Sequence, residues 1–296
     1  MLTQSMVGER TLRIRSSALD GAMAFSNCDE VVKDLSTILR GWGIRQEADG
    51  SQAPAIVRLK RTSRGYLRVS PWVNSPSECR EAFRSHGTDA LFGVHYDLLK
   101  WYVMAQRTRP CVHSAAVRFA SGLVVFPNTT RAGKTTLTVE LARAGHQVFC
   151  DDWLPIEQPG SFGMALGILP WLRLPVPVEV RDGFREFLRA RRGPGNRRWV
   201  YVNLRAHELA VHGETAPVGG LVLLDRQTTG KARLVPVSKD KMLTELIEQN
   251  YAQQLPAMEI FDKLHALAQG TECFSLQYAS VGQAASVLQG VFGRPQ

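Results

Sequence analysis

The sequence predicts an α/β protein: a core with a mainly parallel or mixed sheet built around a phosphate-binding loop, preceded by a small α+β unit. Three observations predict it. A strand–loop–helix string occupies residues 122–144, with Gly133, Lys134 and Thr135 at the helix start. From residue 111 onward, short β-prone runs alternate with segments of helical period, as in strands joined by packed helices. Hydrophobic residues make up 44% of the 296 and charged residues 21%, enough apolar surface for a sizeable core. The division falls near residue 106, giving an N-terminal α+β unit over 1–106 that ends in a helix. The phosphate-binding domain, with C-terminal helices, takes 107–296.

Each element follows from local pattern. Residues 11–16 alternate as a strand, and 31–42 carry apolar side chains at helical spacing behind Asp29 as N-cap. Residues 55–70 read as two alternating runs about the turn Ser63-Arg64-Gly65, hence a hairpin. Residues 71–87, rich in Ser, Pro, Glu and Arg, read as a connecting loop, and 89–106 as an amphipathic helix. The core opens with strands over 112–119 and 122–126. A helix over 135–144 stops at Gly145, which suits a left-handed C-cap. The next strand, 146–150, ends in Asp151-Asp152. Further strands are expected at 217–224, 232–237 and 273–278. Helices are expected over 239–251 behind Ser238, over 256–269, and from Val281.

Bulk properties exclude several classes. No apolar run reaches the length of a membrane span, and the first fifteen residues lack the apolar stretch of a signal peptide. Five scattered cysteines without a CxxC pair indicate neither a disulfide framework nor a zinc site, so a reducing cytoplasm is expected. The net charge of +9 is partly local: residues 189–198 hold five arginines around Gly193-Pro194-Gly195. No nucleic-acid signature accompanies them, and no nucleic-acid partner is expected. A mobile loop carrying Arg191, Arg192, Arg197 and Arg198 would suit an anionic ligand, with Arg173 and Arg205 assisting. A solvated charged face is the plainer alternative.

The chemistry concentrates in Asn128, Thr129, Thr130, Arg131, Ala132, Gly133, Lys134 and Thr135. They have the spacing G-x-x-x-x-G-K-[ST], except that Asn128 stands at the first glycine. In this frame backbone N–H groups and a helix N-terminus wrap a polyphosphate. Lys134 would reach the outer phosphates, the Thr135 hydroxyl would ligate Mg²⁺, and Thr136 follows in the first turn. Asn128 is read as the non-glycine residue that best tolerates a left-handed backbone. Asp151 and Asp152 lie seventeen and eighteen residues past Lys134, one helix and one strand later. That places them at the carboxyl end of a strand beside the loop. One carboxylate would hold Mg²⁺ and the other would accept the proton of an attacking hydroxyl.

The stretch over residues 113–156, from His113 through the loop and the Arg143-Ala144-Gly145-His146 helix end to Asp151-Asp152, resembles HPr kinase/phosphorylase and the HPr-kinase-related kinases. These have a P-loop of the phosphoenolpyruvate-carboxykinase type. The resemblance implies an HPr-kinase-type fold. It also implies a site with His113 beside the acceptor or phosphate and Asp151 and Asp152 as metal-side acid and base. Three features depart from the bifunctional enzymes: Asn128 and Arg131 replace small residues, Thr136 stands where they carry an acid, and their downstream glycine-rich signature is missing. The related kinases are therefore the nearer resemblance. The expectation is an ATP- and Mg²⁺-dependent phosphotransferase acting on an alcohol group, a serine on a peptide or protein, or a small hydroxyl compound. Asp152 is the preferred base and Asp151 the preferred metal-side acid, with the exchange of roles open. ATP, GTP and pyrophosphate stay open as donors, and a homo-oligomer is compatible with the resemblance. A nucleotide-binding regulator without transfer activity is the rival reading.

Overall fold

The computed structural model describes residues 10–47, 55–69, 83–85, 87–128, 132–157, 161–177, 180 and 182–293. The chain divides into two compact units, Met1–Thr37 with Trp42–Tyr102, and Ile38–Gly41 with Val103–Gln296.

The first unit is built on a six-stranded sheet. Its elements are β1 (Thr11–Arg15), β2 (Ala22–Ser26), α1 (Asp29–Ile38), β3 (Arg45–Gln46), β4 (Ala55–Thr62), β5 (Gly65–Val69), β6 (Phe83–Ser85) and α2 (Thr88–Ala105). The strand order is β3-β1-β2-β4-β5-β6, with β2 and β4 parallel and the other neighbours antiparallel. The expected hairpin closes between Thr62 and Gly65. Part of the expected loop over 71–87 is strand: β6 pairs with β5 through Tyr66↔Ser85. A short, polar edge strand gives no alternation to read, because its ladder hydrogen bonds come from the neighbour's free edge. Residues 70–82 lie outside the described residues.

The second unit runs β7 (Cys111–Phe119), β8 (Gly122–Pro127), α3 (Lys134–Arg143), β9 (Val148–Cys150), β10 (Trp153–Glu157), β11 (Phe162–Met164), β12 (Trp171–Arg173) and α4 (Asp182–Ala190). It continues with β13 (Arg192–Gly195), β14 (Trp199–Val202), β15 (Thr215–Arg226), β16 (Arg233–Pro236), α5 (Lys239–Glu248), α6 (Ala257–Gly270), β17 (Cys273–Tyr278) and α7 (Val281–Phe292). Its main sheet has the order β11-β10-β7-β8-β15-β17-β16, with β9 also on β7. Only β8–β15 and β15–β17 pair in parallel, so the sheet is mixed and not mainly parallel. The tight turn after Phe119 forces the β7–β8 hairpin, and β9 and β10 fold back antiparallel on β7 through long-range pairing.

Period-2 alternation splits the apolar residues of this sheet between two cores. Ala116, Leu123, Val125, Leu221 and Leu223 pack with Met242 and Leu246 of α5 and Leu264 and Leu267 of α6. Their neighbours Val117, Val124, Phe126, Val222 and Leu224 pack with Leu137 and Leu141 of α3 and Leu288 and Phe292 of α7. A sheet covered on both faces reads as near-continuous apolar runs, which is what residues 123–126 and 221–224 show. No helix among the described residues is long and apolar enough to cross a membrane.

The arginine-rich segment is only in part a loop: Arg189 lies in the last turn of α4, and residues 196–198 connect β13 to β14. Arg192–Gly195 pair with β14 in a small sheet, β12-β14-β13. Arg191 is bound to Glu208 through two hydrogen bonds, Nε to Oε2 at 3.1 Å and Nη2 to Oε1 at 2.7 Å.

Candidate active site

Strand directions decide what meets at one edge of the main sheet. β7 is antiparallel to both β8 and β9, so β8 and β9 run in the same direction with β7 between them. β15 and β17 run parallel to β8. The carboxyl ends of β8, β9, β15 and β17 therefore share an edge with the amino end of β7. That edge carries Asn128, Asp151, Asp152, Arg226, Tyr278 and His113. Ligands of open α/β sheets bind at such an edge.

Thr129, Thr130 and Arg131 lie outside the described residues, and the loop is described on either side of them. Asn128 does not take the left-handed backbone expected of it, since its φ is not positive. Its amide pairs in both directions with Leu224 of β15 instead: Oδ1 accepts from the Leu224 N–H at 2.7 Å, and Nδ2 donates to the Leu224 carbonyl at 3.3 Å. The side chain thus prolongs the β8–β15 ladder beyond the strand, which glycine could not do.

Gly133 does need to be glycine. Its φ is +95°, and a Cβ there would stand 2.8 Å from the Tyr278 hydroxyl. That hydroxyl donates to the Ala132 carbonyl at 3.4 Å. Gly133 is also the N-cap of α3 and supplies no side-chain cap. Among the described residues the first-turn N–H groups have no side-chain cap, the arrangement that binds anions. Lys134 is buried, and its Nζ donates to the Asn128 carbonyl. Burial lowers its pKa, opposed by the charges of Asp152 and Asp151.

The two carboxylates sit differently. Both oxygens of Asp151 are buried with no hydrogen-bond partner among the described residues. Burial and the charge of Asp152 raise its pKa well above the ordinary value. The nearby Thr135 hydroxyl, Lys134 and the Trp171 backbone offset this only in part. Asp152 is held on both oxygens: Oδ2 accepts from the Trp171 indole N–H at 2.6 Å, and Oδ1 faces His113 Nε2 at 3.5 Å. Burial raises its pKa too, but the contacts with His113 and Trp171 and the charges of His113 and Lys134 outweigh it. The carboxyl is thereby held below its usual range. His113 in turn is fixed from behind, with Nδ1 3.1 Å from Gln249 Oε1 and its ring edge-on to Tyr251.

His113, Lys134, Thr135, Asp152, Arg173 and Arg226 line one cleft of about 220 Å³ together with Gly133, Thr136 and Trp171. A larger groove of about 310 Å³ beside Lys231 and Gln283 has no carboxylate in its wall. The structure thus brings together His113, Gly133, Lys134, Thr135, Thr136 and Asp152, with Asp151 buried behind them. Arg205 and the arginines of residues 189–198 do not line this cleft.

Sequence reasoning missed Trp171, Arg226 and Gln249. Trp171 stands two residues before Arg173, in a run read only for its arginine. Arg226 was hidden because β15 extends two residues past the expected strand end. Gln249 had a signal. Met242, Leu246 and position 249 follow i, i+4, i+7 on the buried side of α5, so a glutamine stands where the pattern asks for an apolar residue.

No protein-family model matches the chain, and no curated protein matches it. Among solved structures it is similar to the HPr(Ser) kinase/phosphatase from Coxiella burnetii, at 11% identity over 61% of this chain and 94% of that one, with a TM-score of 0.31. At that TM-score the superposition is too loose to carry an inference about chemistry.

Proposed function

We propose that this chain is a kinase that transfers the γ-phosphate of ATP, with Mg²⁺, to a hydroxyl acceptor, a serine on a peptide or protein being the leading acceptor class. One observation carries the reading: a buried carboxylate with no hydrogen-bond partner among the described residues, Asp151, stands beside Lys134 and Thr135 behind a helix N-terminus that has no side-chain cap. Cation and anion sites adjoin there, as a metal-bound polyphosphate requires.

Among the described residues there is no cluster of three or more His, Cys, Asp or Glu for a metal. Mg²⁺ does not require one, because it takes one or two carboxylates and fills its other positions with water and phosphate oxygens. Asp151 and Thr135 fit that use, since Asp151 has the unsatisfied oxygens and Thr135 lines the cleft next to it. When bound, Mg²⁺ would neutralise charge on the phosphates.

The chain's own residues divide the remaining work. The first-turn N–H groups of α3 bind phosphate oxygens. Lys134 exchanges the Asn128 carbonyl for a phosphate oxygen. Arg173 and Arg226 add positive charge to the cleft wall. Asp152 faces the same cleft in its ionised form and can take the proton of the acceptor hydroxyl. Its low pKa is no obstacle, because phosphoryl transfer with a loose transition state asks more for positioning than for a strong base. His113 has both ring nitrogens engaged, so it acts through Asp152.

Calorimetry of Mg·ATP with the wild type and Lys134→Ala tests the reading without knowledge of the acceptor. Micromolar binding is expected, weakened about 100-fold (~2.7 kcal/mol) by the substitution. Failure of the wild type to bind any nucleotide or pyrophosphate would sink it. Asp152→Asn is expected to keep the binding and lose transfer.

A further inference from the structure

We infer that Gln249 is a positioning residue of this site, fixing through its backbone and its amide the ring of His113 and, through the ring, the carboxylate of Asp152. Its effect on turnover rests on the kinase reading, whereas its effect on the ring does not.

Gln249 is the C-cap of α5, and it is buried. Its carbonyl accepts the His113 backbone N–H at 2.8 Å, and its side chain meets the ring at Nδ1. The next two residues continue the seam. Asn250 bridges Val112 and accepts from the Cys111 N–H through Oδ1 at 3.3 Å, and the Tyr251 N–H donates to the Cys111 carbonyl at 2.8 Å. The end of α5 is thus stitched, residue by residue, along the start of β7. A buried amide is costly unless it is hydrogen-bonded, and here the ring is a partner of its oxygen.

The chemistry of the three groups explains why an amide suits this place. An ionised carboxylate only accepts hydrogen bonds, so the His113–Asp152 contact is attractive only with a proton on Nε2. Nδ1 is then either a second N–H, which needs an acceptor, or a lone pair, which needs a donor. A primary amide offers both, by rotation about its last bond. Gln249 can therefore keep the Nε2–H directed at Asp152 Oδ1 whether the ring is neutral or charged. Trp171 holds the other oxygen in either case.

The test uses the full chain with ¹⁵N-labelled histidine, reading the His113 ring by NMR alongside intrinsic ATP hydrolysis, with water standing in for the acceptor. In the wild type a slowly exchanging Nε2–H signal is expected on both sides of the ring's titration. Gln249→Met should lose that protection and lower kcat about tenfold with KM for ATP unchanged. Gln249→Glu, which can only accept, should retain the signal and hold the ring in its doubly protonated form to higher pH. Retention of the wild-type signal and titration in both variants overturns the inference. If Gln249→Met does not fold, Gln249→Glu decides alone: a ring titration identical to wild type overturns the inference, and an upward shift supports it. A wild type that binds no nucleotide removes the kinase reading but leaves the ring measurement as decisive as before.

Discussion

Glu208 and Asp151 are buried to nearly the same degree, 7% and 6% exposed, and meet opposite fates. Glu208 accepts two hydrogen bonds from Arg191 and one from the Arg205 backbone. Burial raises its pKa, but these partners more than reverse it, and the carboxyl ends below its ordinary value. Neither Asp151 oxygen has a hydrogen-bond partner among the described residues. Burial with the charge of Asp152 raises its pKa well above the ordinary value, offset only in part by the nearby Thr135 hydroxyl, Lys134 and the Trp171 backbone. The turns beside the small sheet, which carry Arg191 and Glu208, neutralise their own buried charge. The edge of the main sheet leaves one open. Buried polar groups are almost always satisfied, so an orphan carboxylate beside Lys134 and Thr135 calls for an explanation.

The largest expected effect breaks the satisfied side of this contrast. Glu208→Ala leaves the Arg191 guanidinium without its carboxylate and the Arg205 N–H without an acceptor. It should cost about 3 kcal/mol of stability, read from urea unfolding. Mg·ATP affinity should stay at the wild-type value, because none of these groups lines the cleft. A loss below about 1 kcal/mol would put this pair with ordinary surface ion pairs and weaken the contrast.

Asn128 is the intermediate case, a polar residue within the site that the fold itself satisfies. Asn128→Ala should cost about 2 kcal/mol through the two hydrogen bonds to Leu224, with faster amide exchange at Leu224. Asn128→Gly sharpens the point. The loop motif alone says that glycine should be neutral or better here, whereas the pairing with β15 says it should destabilise about as much as alanine.

Much of this was legible in the sequence, for physical reasons that differ by residue. Strands β7, β8, β9, β15, β16 and β17 and the helices α3, α5, α6 and α7 announce themselves through period and caps, as where Ser238 accepts from the Lys241 N–H, whereas β10 and β11 of the main sheet were not expected. Gly133, Lys134 and the Asp pair were readable because loop, helix and strand fix their spacing along the chain. Pairing direction was not readable, since β9 lies antiparallel on β7 by virtue of tertiary contacts that leave no local signature. For the same reason Asn128 was misread. Its partner Leu224 is 96 residues away, and nothing nearby in sequence distinguishes a left-handed asparagine from one that completes a ladder. Trp171 and Gln249 reach the site from the short sheet and from α5, so they too depend on long-range placement.

The smallest effect tests the open side of the contrast, and its sign is opposite. Asp151→Asn removes a buried carboxyl whose ionised form the fold disfavours, so at neutral pH the variant should be about 1 kcal/mol more stable than wild type in urea. The pH dependence fixes the cause. A carboxyl whose folded pKa lies above its ordinary 3.8 binds its proton more tightly in the folded state. Stability from this group is therefore full below 3.8 and falls as pH rises through the raised folded value. The advantage of Asp151→Asn should accordingly vanish below pH 3.8 and grow above it. Glu208 has the reverse sign: its contribution is full above the ordinary 4.5 and lost as pH drops through the depressed folded value. Saturating Mg·ATP should then invert the ranking at pH 7. The wild type gains the binding free energy of a ligand that uses the open carboxylate, and Asp151→Asn does not. A variant that is more stable alone and less stable with Mg·ATP is what a carboxylate reserved for a ligand requires, and equal gains in both proteins would make Asp151 a structural acid only.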